Sequence, residues 1–243
     1  MNAVRIPART YVAIAGLLAF AALFVSLGTW QLKRADESRS ALARFTGAAT
    51  DAPLTELPRS LDEAQRFRRV EAHGEFVTDP QFLLDNMLHD GVAGYDVLTA
   101  LRVAGGRERV LVNRGWVRAD ADRRVLPNVA VAGEPRRVTG RLEHLPRPGL
   151  RLGTVAAGGG PAHGAVVLQY PTTVELAQLL GEPVLDYQLL LDPDEPDGYV
   201  REWRAPGLPP ERHIGYAGQW FALAIGAAAA GVVIAFRTVR RES

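Results

Sequence analysis

The chain has no cysteine, only two methionines, and a single lysine, Lys33, among its 28 basic residues. Without thiols it can build no disulfide framework, thiol redox pair, zinc knuckle or thiolate copper site. Catalytic signatures are missing as well. There is no His-Glu-x-x-His, no Gly-x-Ser-x-Gly and no Walker loop. Gly158-Gly159-Gly160 follows no clear strand and opens no helix, so it reads as a flexible loop rather than a phosphate cradle. The five histidines, at 73, 89, 144, 163 and 213, show no metal-ligand spacing. No recognisable nucleophile or acid/base set is left, and an enzyme is not expected. Nor does one sign of charge dominate, since 28 basic residues face 27 acidic ones. The arginine and alanine richness therefore reads as compositional bias, and no nucleic-acid partner is expected.

What the chain does have is two long apolar runs, although its mean hydropathy is only −0.02. Tyr11 to Leu32 and Ile214 to Phe236 carry no charged residue. Each meets the ~20 residues that a helix needs to cross a bilayer. A cleavable signal peptide is the competing reading of the first run, with Arg5 and Arg9 as its basic end. The run exceeds the roughly 7–15 apolar residues usual in such a peptide, so an uncleaved anchor is expected. For the second run the competitor is a buried core helix, which the trailing Arg237, Arg240 and Arg241 disfavour. Residues 11–32 and 214–236 are thus read as transmembrane helices and 33–212 as one domain between them. The tails hold Arg5, Arg9, Arg237, Arg240 and Arg241 against Glu242, leaving the stretch between the spans net acidic. Short positive tails favour both ends in the cytoplasm and residues 33–212 in the periplasm.

Between the spans, Arg34 to Ala49 reads as a polar helix that Pro53 and Pro58 end. Ser60-x-x-Glu63 suggests a capping box for a short further helix. Strand-like runs follow at Val70–Phe76, Gln81–Asp85, Tyr95–Val103, Arg109–Val117, Arg136–His144, Val166–Tyr170 and Tyr187–Leu191, separated by Gly, Pro and Asp turns. Thr172-x-x-Glu175 opens a helix that Gly181 stops. Gly153 to Gly164 reads as a small-residue loop. The expected class is a membrane protein with two terminal transmembrane helices and a β-rich α+β domain, of partly closed barrel type.

Two constellations stand out. His213 lies ~6 Å above a 20-residue span starting at Ala217, at 1.5 Å per residue. On a wheel of 100° per residue, His213, Ala217, Trp220, Ala224 and Gly231 share one face, with Ala228 beside them. An imidazole above such a small-residue groove suits a haem iron whose macrocycle lies in lipid. Equally, small residues let the second span pack on the first, where Gly16 and Gly28 lie. Trp30-Gln31 and Gln219-Trp220 mark the same leaflet and support an antiparallel hairpin. The second constellation is Asn113-Arg114-Gly115-Trp116-Val117, read as a strand with a glycine bulge and an arginine near a tryptophan. Arg114 could instead meet a carboxylate.

Four strings resemble one family. They are Gly28-Thr29-Trp30-Gln31-Leu32, Gly94-Tyr95-Asp96-Val97, Val110-Leu111-Val112-Asn113-Arg114-Gly115-Trp116-Val117, and His213-Ile214-Gly215-Tyr216-Ala217-Gly218-Gln219-Trp220-Phe221. Their order and their placement against two terminal spans are similar to the Surfeit locus protein 1 family of cytochrome c oxidase assembly factors. Ala100 departs from the pattern, which commonly has proline there. The resemblance implies a non-enzymatic inner-membrane factor that assists haem a handling and insertion into the oxidase core subunit, alongside the haem a synthesis machinery. It maps His213 as a haem a axial ligand, with Tyr216, Gln219 and Trp220 around it and Arg114 as a propionate partner. A scaffold that steadies an oxidase intermediate without touching haem is the other reading.

Overall fold

The computed structural model describes residues 7–48, 51–146 and 164–242. Among these residues, three helices and seven strands follow one another. They are α1 (Ala8–Gly47), β1 (Arg69–Phe76), β2 (Gln81–His89), β3 (Val92–Val103), β4 (Arg109–Arg118), β5 (Pro135–His144), β6 (Ala165–Leu168), α2 (Thr173–Leu180), β7 (Val184–Leu191) and α3 (Pro210–Glu242). The chain divides into two units, residues 1–43 with 205–243, and residues 44–204.

The first unit is a pair of helices. Both are long and apolar enough to cross a membrane. Their bulky side chains point outward: Val12 is 72% exposed, Phe20 56%, Ile225 70% and Phe236 68%. A soluble core helix would hide such groups, and a contiguous apolar surface of this extent calls for lipid or protein around it. The shielded positions on α1 recur at alternating spacings of four and three, through Thr10, Ile14, Leu17, Ala21, Phe24, Gly28, Gln31 and Ala35. On α3 the same rhythm runs through His213, Ala217, Trp220, Ala224, Ala227, Gly231 and Ile234. That is the 3.5-residue seam of two supercoiled helices. It runs antiparallel, since Gln31 meets His213, Phe24 stacks on Trp220 and Leu17 lies against Gly231.

The seam corrects two expectations. Ala227, not Ala228, faces α1: on the 100° wheel they fall about 40° and about 60° to opposite sides of His213, and the nearer one packs. Gly28 is buried against the Phe221 ring, where an added Cβ would lie 2.6 Å from Cε1, whereas Gly16 has nothing within 4 Å. The helix expected over 34–49 is no separate element but the continuation of α1 to Gly47. Nothing in its sequence breaks it after Leu32, and i,i+3 pairs such as Arg34–Glu37 and Asp36–Arg39 support it.

The second unit is built on a closed barrel. Alternation along the strands sends Val70 and Ala72 of β1, Leu101 of β3, Val110 and Val112 of β4, Val138 and Leu142 of β5, and Tyr187, Leu189 and Leu191 of β7 into one core. The strand order is β1-β5-β7-β4-β3, and β3 returns to β1 through Gly74↔Val103 to Phe76↔Leu101. Only β4 and β7 run parallel within this ring. A five-stranded Greek-key ring with this order is an OB-type barrel. Beyond it, β2 and β6 extend the sheet from the N-terminal half of β3.

Outward residues Leu98, Ala100 and Leu111 are covered by Leu145, directly after β5, and by Leu176 of α2. The face on which OB-type barrels hold oligonucleotides is therefore filled by the protein's own side chains. Ala100 sits in regular pairing with Leu111, so the departure noted at this position leaves the strand undisturbed.

Local signals place the small elements. Thr172 and Glu175 form the expected reciprocal capping box, and Gly181 ends α2 in the left-handed region at φ 69°. Ser60-x-x-Glu63 caps no helix. Residues 63–67 form a turn on Asp62 instead, whose Oδ1 accepts from Gln65 N at 2.8 Å and whose carbonyl accepts from Arg66 N at 3.1 Å. Residues 153–163, expected as a small-residue loop, lie outside the described residues.

Candidate functional site

His213 occupies the first turn of α3, which opens with Pro210 at its first helical position, where a missing N–H costs nothing. The ring is half-buried on the seam, and its Nδ1 lies 2.9 Å from Oε1 of Gln31. No partner of Nε2 is seen among the described residues. Trp220, two turns deeper, is stacked on Phe24 with ring centroids 5.8 Å apart. Tyr216 is 41% exposed and Gln219 is exposed, so both project from other faces of α3. Of the four helical residues expected at the site, the seam brings together only His213 and Trp220. The small-residue face is no open groove, since Ala217, Ala224 and Gly231 are buried on α1's side. A donor set of one imidazole with a ring nitrogen to spare fits haem iron.

Gln31 is the residue that sequence reasoning missed. Its signal was present in the four-three spacing of α1, which puts Gln31 one turn from Gly28 on the packed face. The partner, 182 residues away, was not readable.

Arg114 belongs to the barrel. It is 2% exposed and donates from Nε to the Asp197 carbonyl at 2.8 Å, and from Nη1 to the Val129 carbonyl at 2.8 Å and Thr99 Oγ1 at 3.3 Å. Burial lowers its pKa, while Tyr199 and Asp197 oppose the shift. Its cation–π partner is the Tyr199 ring, 5.2 Å from the guanidinium carbon, and not the neighbouring tryptophan. Its Nε and Nη1 are thus engaged inside the barrel. The glycine bulge is real: Asp96↔Trp116 and Leu98↔Asn113 leave Arg114 and Gly115 opposite Val97 alone. Gly115 has φ 103°, and an added Cβ would lie 2.5 Å from the Val200 carbonyl. That carbonyl accepts from Trp116 N at 2.8 Å, and Tyr199 N donates to the Arg114 carbonyl at 2.7 Å. Tyr199 and Val200, in the stretch that follows β7, thus clamp the bulge.

The four sequence strings meet in two pairs. In the barrel, Gly94 lies under the Trp116 indole, whose Nε1 donates to the Met87 carbonyl at 3.0 Å. Asp96 accepts from Asn113 Nδ2 at 3.1 Å, and burial raises its carboxyl above the usual range while that hydrogen bond lowers it. In the helix pair, Gly28 receives Phe221 and Gln31 receives His213. Comparison with known proteins adds the decisive observation: the sequence profile of the SURF1 family matches residues 18–225, a range that takes in all four strings.

The chain belongs to the SURF1 family.

Uncharacterized SURF1-like proteins of Mycobacterium bovis and Mycobacterium tuberculosis are each 31% identical over 210 residues, covering 83% of this chain and 74% of theirs. A SURF1-like protein of Dictyostelium discoideum is 31% identical over 108 residues, 40% of this chain and 39% of its own. SURF1 proteins are oxidase assembly factors rather than a known enzyme family. The barrel also carries a cleft of about 620 Å³ between residues 55–59, Glu71–His73 and the 103–108 turn. It holds none of the residues that the SURF1 strings single out.

Proposed function

We propose that this SURF1 protein assists maturation of cytochrome c oxidase by holding haem a on His213 for delivery to the oxidase core subunit, in concert with the haem a synthesis machinery. The observation that carries this reading is the imidazole at the entrance of the helix pair, anchored through Nδ1 and with no partner of Nε2 among the described residues. Haem a is cargo here, and the chain's part is to supply one nitrogen donor at the boundary between water and lipid. Trp220 stiffens the seam beneath the ring. Tyr216 and Gln219, on outer faces, remain candidates for contact with a bulky cargo.

Deleting the gene is expected to lower assembled haem–copper oxidase without abolishing growth by other respiratory routes. Membranes with normal haem a content and normal cytochrome c oxidation would sink the reading.

A second reading has its own support. Burial of Ala217, Ala224 and Gly231 on the seam makes the small-residue face a packing surface, as a scaffold without haem requires. An absorption spectrum of the protein purified from a host that makes haem a separates the two, since a scaffold comes out colourless.

The proposed topology places both tails in the cytoplasm of an inner-membrane protein and the barrel in the periplasm, following the arginines of the short tails. Alkaline phosphatase fused within residues 150–160 is expected to be active, and a fusion after Ser243 inactive. The reverse pattern would invert the topology, and activity at both sites would refute the two spans.

A further inference from the structure

We infer that Gln31 is a positioning residue for His213: its side-chain oxygen accepts a hydrogen bond from Nδ1–H and so reserves Nε2, with its lone pair, for a metal. The inference rests on the proposed haem role only for the identity of that metal. Its geometric part stands alone.

Neutral imidazole carries one proton, and which nitrogen holds it is set by the hydrogen bond that the other atoms of the site allow. In this protein the atom facing Nδ1 is Oε1 of Gln31, at 2.9 Å. A carboxamide oxygen only accepts, so with Oε1 turned to the ring Nδ1 donates and carries the proton. The pair is not a chance surface contact. Both residues lie on the four-three seam, one turn from Gly28 on α1 and one turn from Ala217 on α3, and both of these neighbours are buried. Gly28 and Phe221 interlock beside them, which fixes the rotation of each helix about its axis. A side chain held by a locked helix orients its partner at little entropic cost. Metal-bound histidines recurrently donate their second ring N–H to an oxygen acceptor, and losing that acceptor weakens metal binding by about 10–100-fold. The device predicts a division of labour across the pair: α3 supplies the ligand and α1 supplies its orientation. Neither helix alone would present a defined nitrogen.

The test uses the full chain in detergent or nanodiscs, with ¹⁵N-labelled histidine and three forms: wild type, Gln31→Leu and Gln31→Glu. Ring ¹⁵N shifts, read without haem at a pH where imidazole is neutral, report the tautomer directly. The expected result is Nδ1–H in wild type and in Gln31→Glu, which keeps an acceptor oxygen, and loss of that preference in Gln31→Leu. Haem a titration of the same samples should then show binding about 10–100-fold weaker for Gln31→Leu, with rescue in Gln31→Glu. An Nε2–H tautomer in wild type, or an unchanged tautomer in Gln31→Leu, would overturn the inference. If Gln31→Leu disturbs helix packing, Gln31→Glu still decides: a retained tautomer supports the acceptor role and a lost one refutes it. Wild type that takes up no haem a, with the tautomer pattern as expected, would refute the proposed haem function and leave the positioning role standing.

Discussion

His213→Ala should purify with at least ~10-fold less haem a than the unaltered protein, at equal abundance in the membrane. The factor is the lower end of what losing even a supporting group costs a metal site, and a lost ligand costs no less. The substitution removes the only imidazole on the seam and leaves Gln31 without its partner. Its effect on packing should be small. His213 is half-buried at one end of the helix pair, whereas the interlocked Gly28–Phe221 contact and the buried Ala217, Ala224 and Gly231 lie deeper. A Soret band that weakens or shifts while protein is retained agrees with ligation. An unchanged spectrum at full occupancy would reject His213 as the ligand and leave it as a polar residue of the seam. Abundance is therefore measured in parallel, because a hairpin that fails to assemble also loses haem.

The second large effect is expected in the barrel, far along the chain from His213. Arg114→Ala should destabilise the barrel unit by about 4 kcal/mol, counting the buried acceptors left unsatisfied and the cavity left behind. The carbonyls of Asp197 and Val129 lose donors at 2.8 Å, and Thr99 Oγ1 and Gln81 Oε1 lose theirs at 3.3 and 3.5 Å. Thr99 and Gln81 are themselves buried and hydrogen-bonded to one another, so water cannot readily take the arginine's place. Small domains have only about 5–15 kcal/mol in hand. Arg114→Lys keeps the charge but not the planar fork and should recover only part of the loss. Denaturant titration of the full-length protein, followed by its β-sheet circular dichroism, measures both. A change below about 1 kcal/mol would mean that those acceptors find other donors, and the structural role assigned to Arg114 would fall.

The two outcomes explain why the same family strings contain residues of different kinds. Arg114, Gly115 and Trp116 keep a barrel closed around a bulge. Gly28 and Phe221 keep two helices in register, and Gln31 and His213 offer chemistry at the end of that register. A reading by motif alone grouped Arg114 with His213, since both are polar and both stand in diagnostic strings. Burial separates them, and burial is a property of the folded chain.

Much of this architecture is decided within a few residues of chain. Two charge-free runs are long enough to span a bilayer, and a helix is how such a run satisfies its own backbone. Alternating apolar residues made the strands of the middle region legible, with ends that moved by a few residues at most. Thr172, Glu175 and Gly181 marked α2 because capping is local chemistry. The glycine bulge was legible for the same reason, since Gly115 adopts a backbone that other residues resist. Pairing across long separations is another matter. The closure of β3 on β1, the parallel β4–β7 pair, the burial of Arg114 beneath Tyr199 and the contact of Gln31 with His213 each join distant segments. Propensity and spacing carry no information about which of many apolar faces will meet. Only the packed structure decided that, by closing the barrel's free edges against one another and by interlocking Gly28 with Phe221.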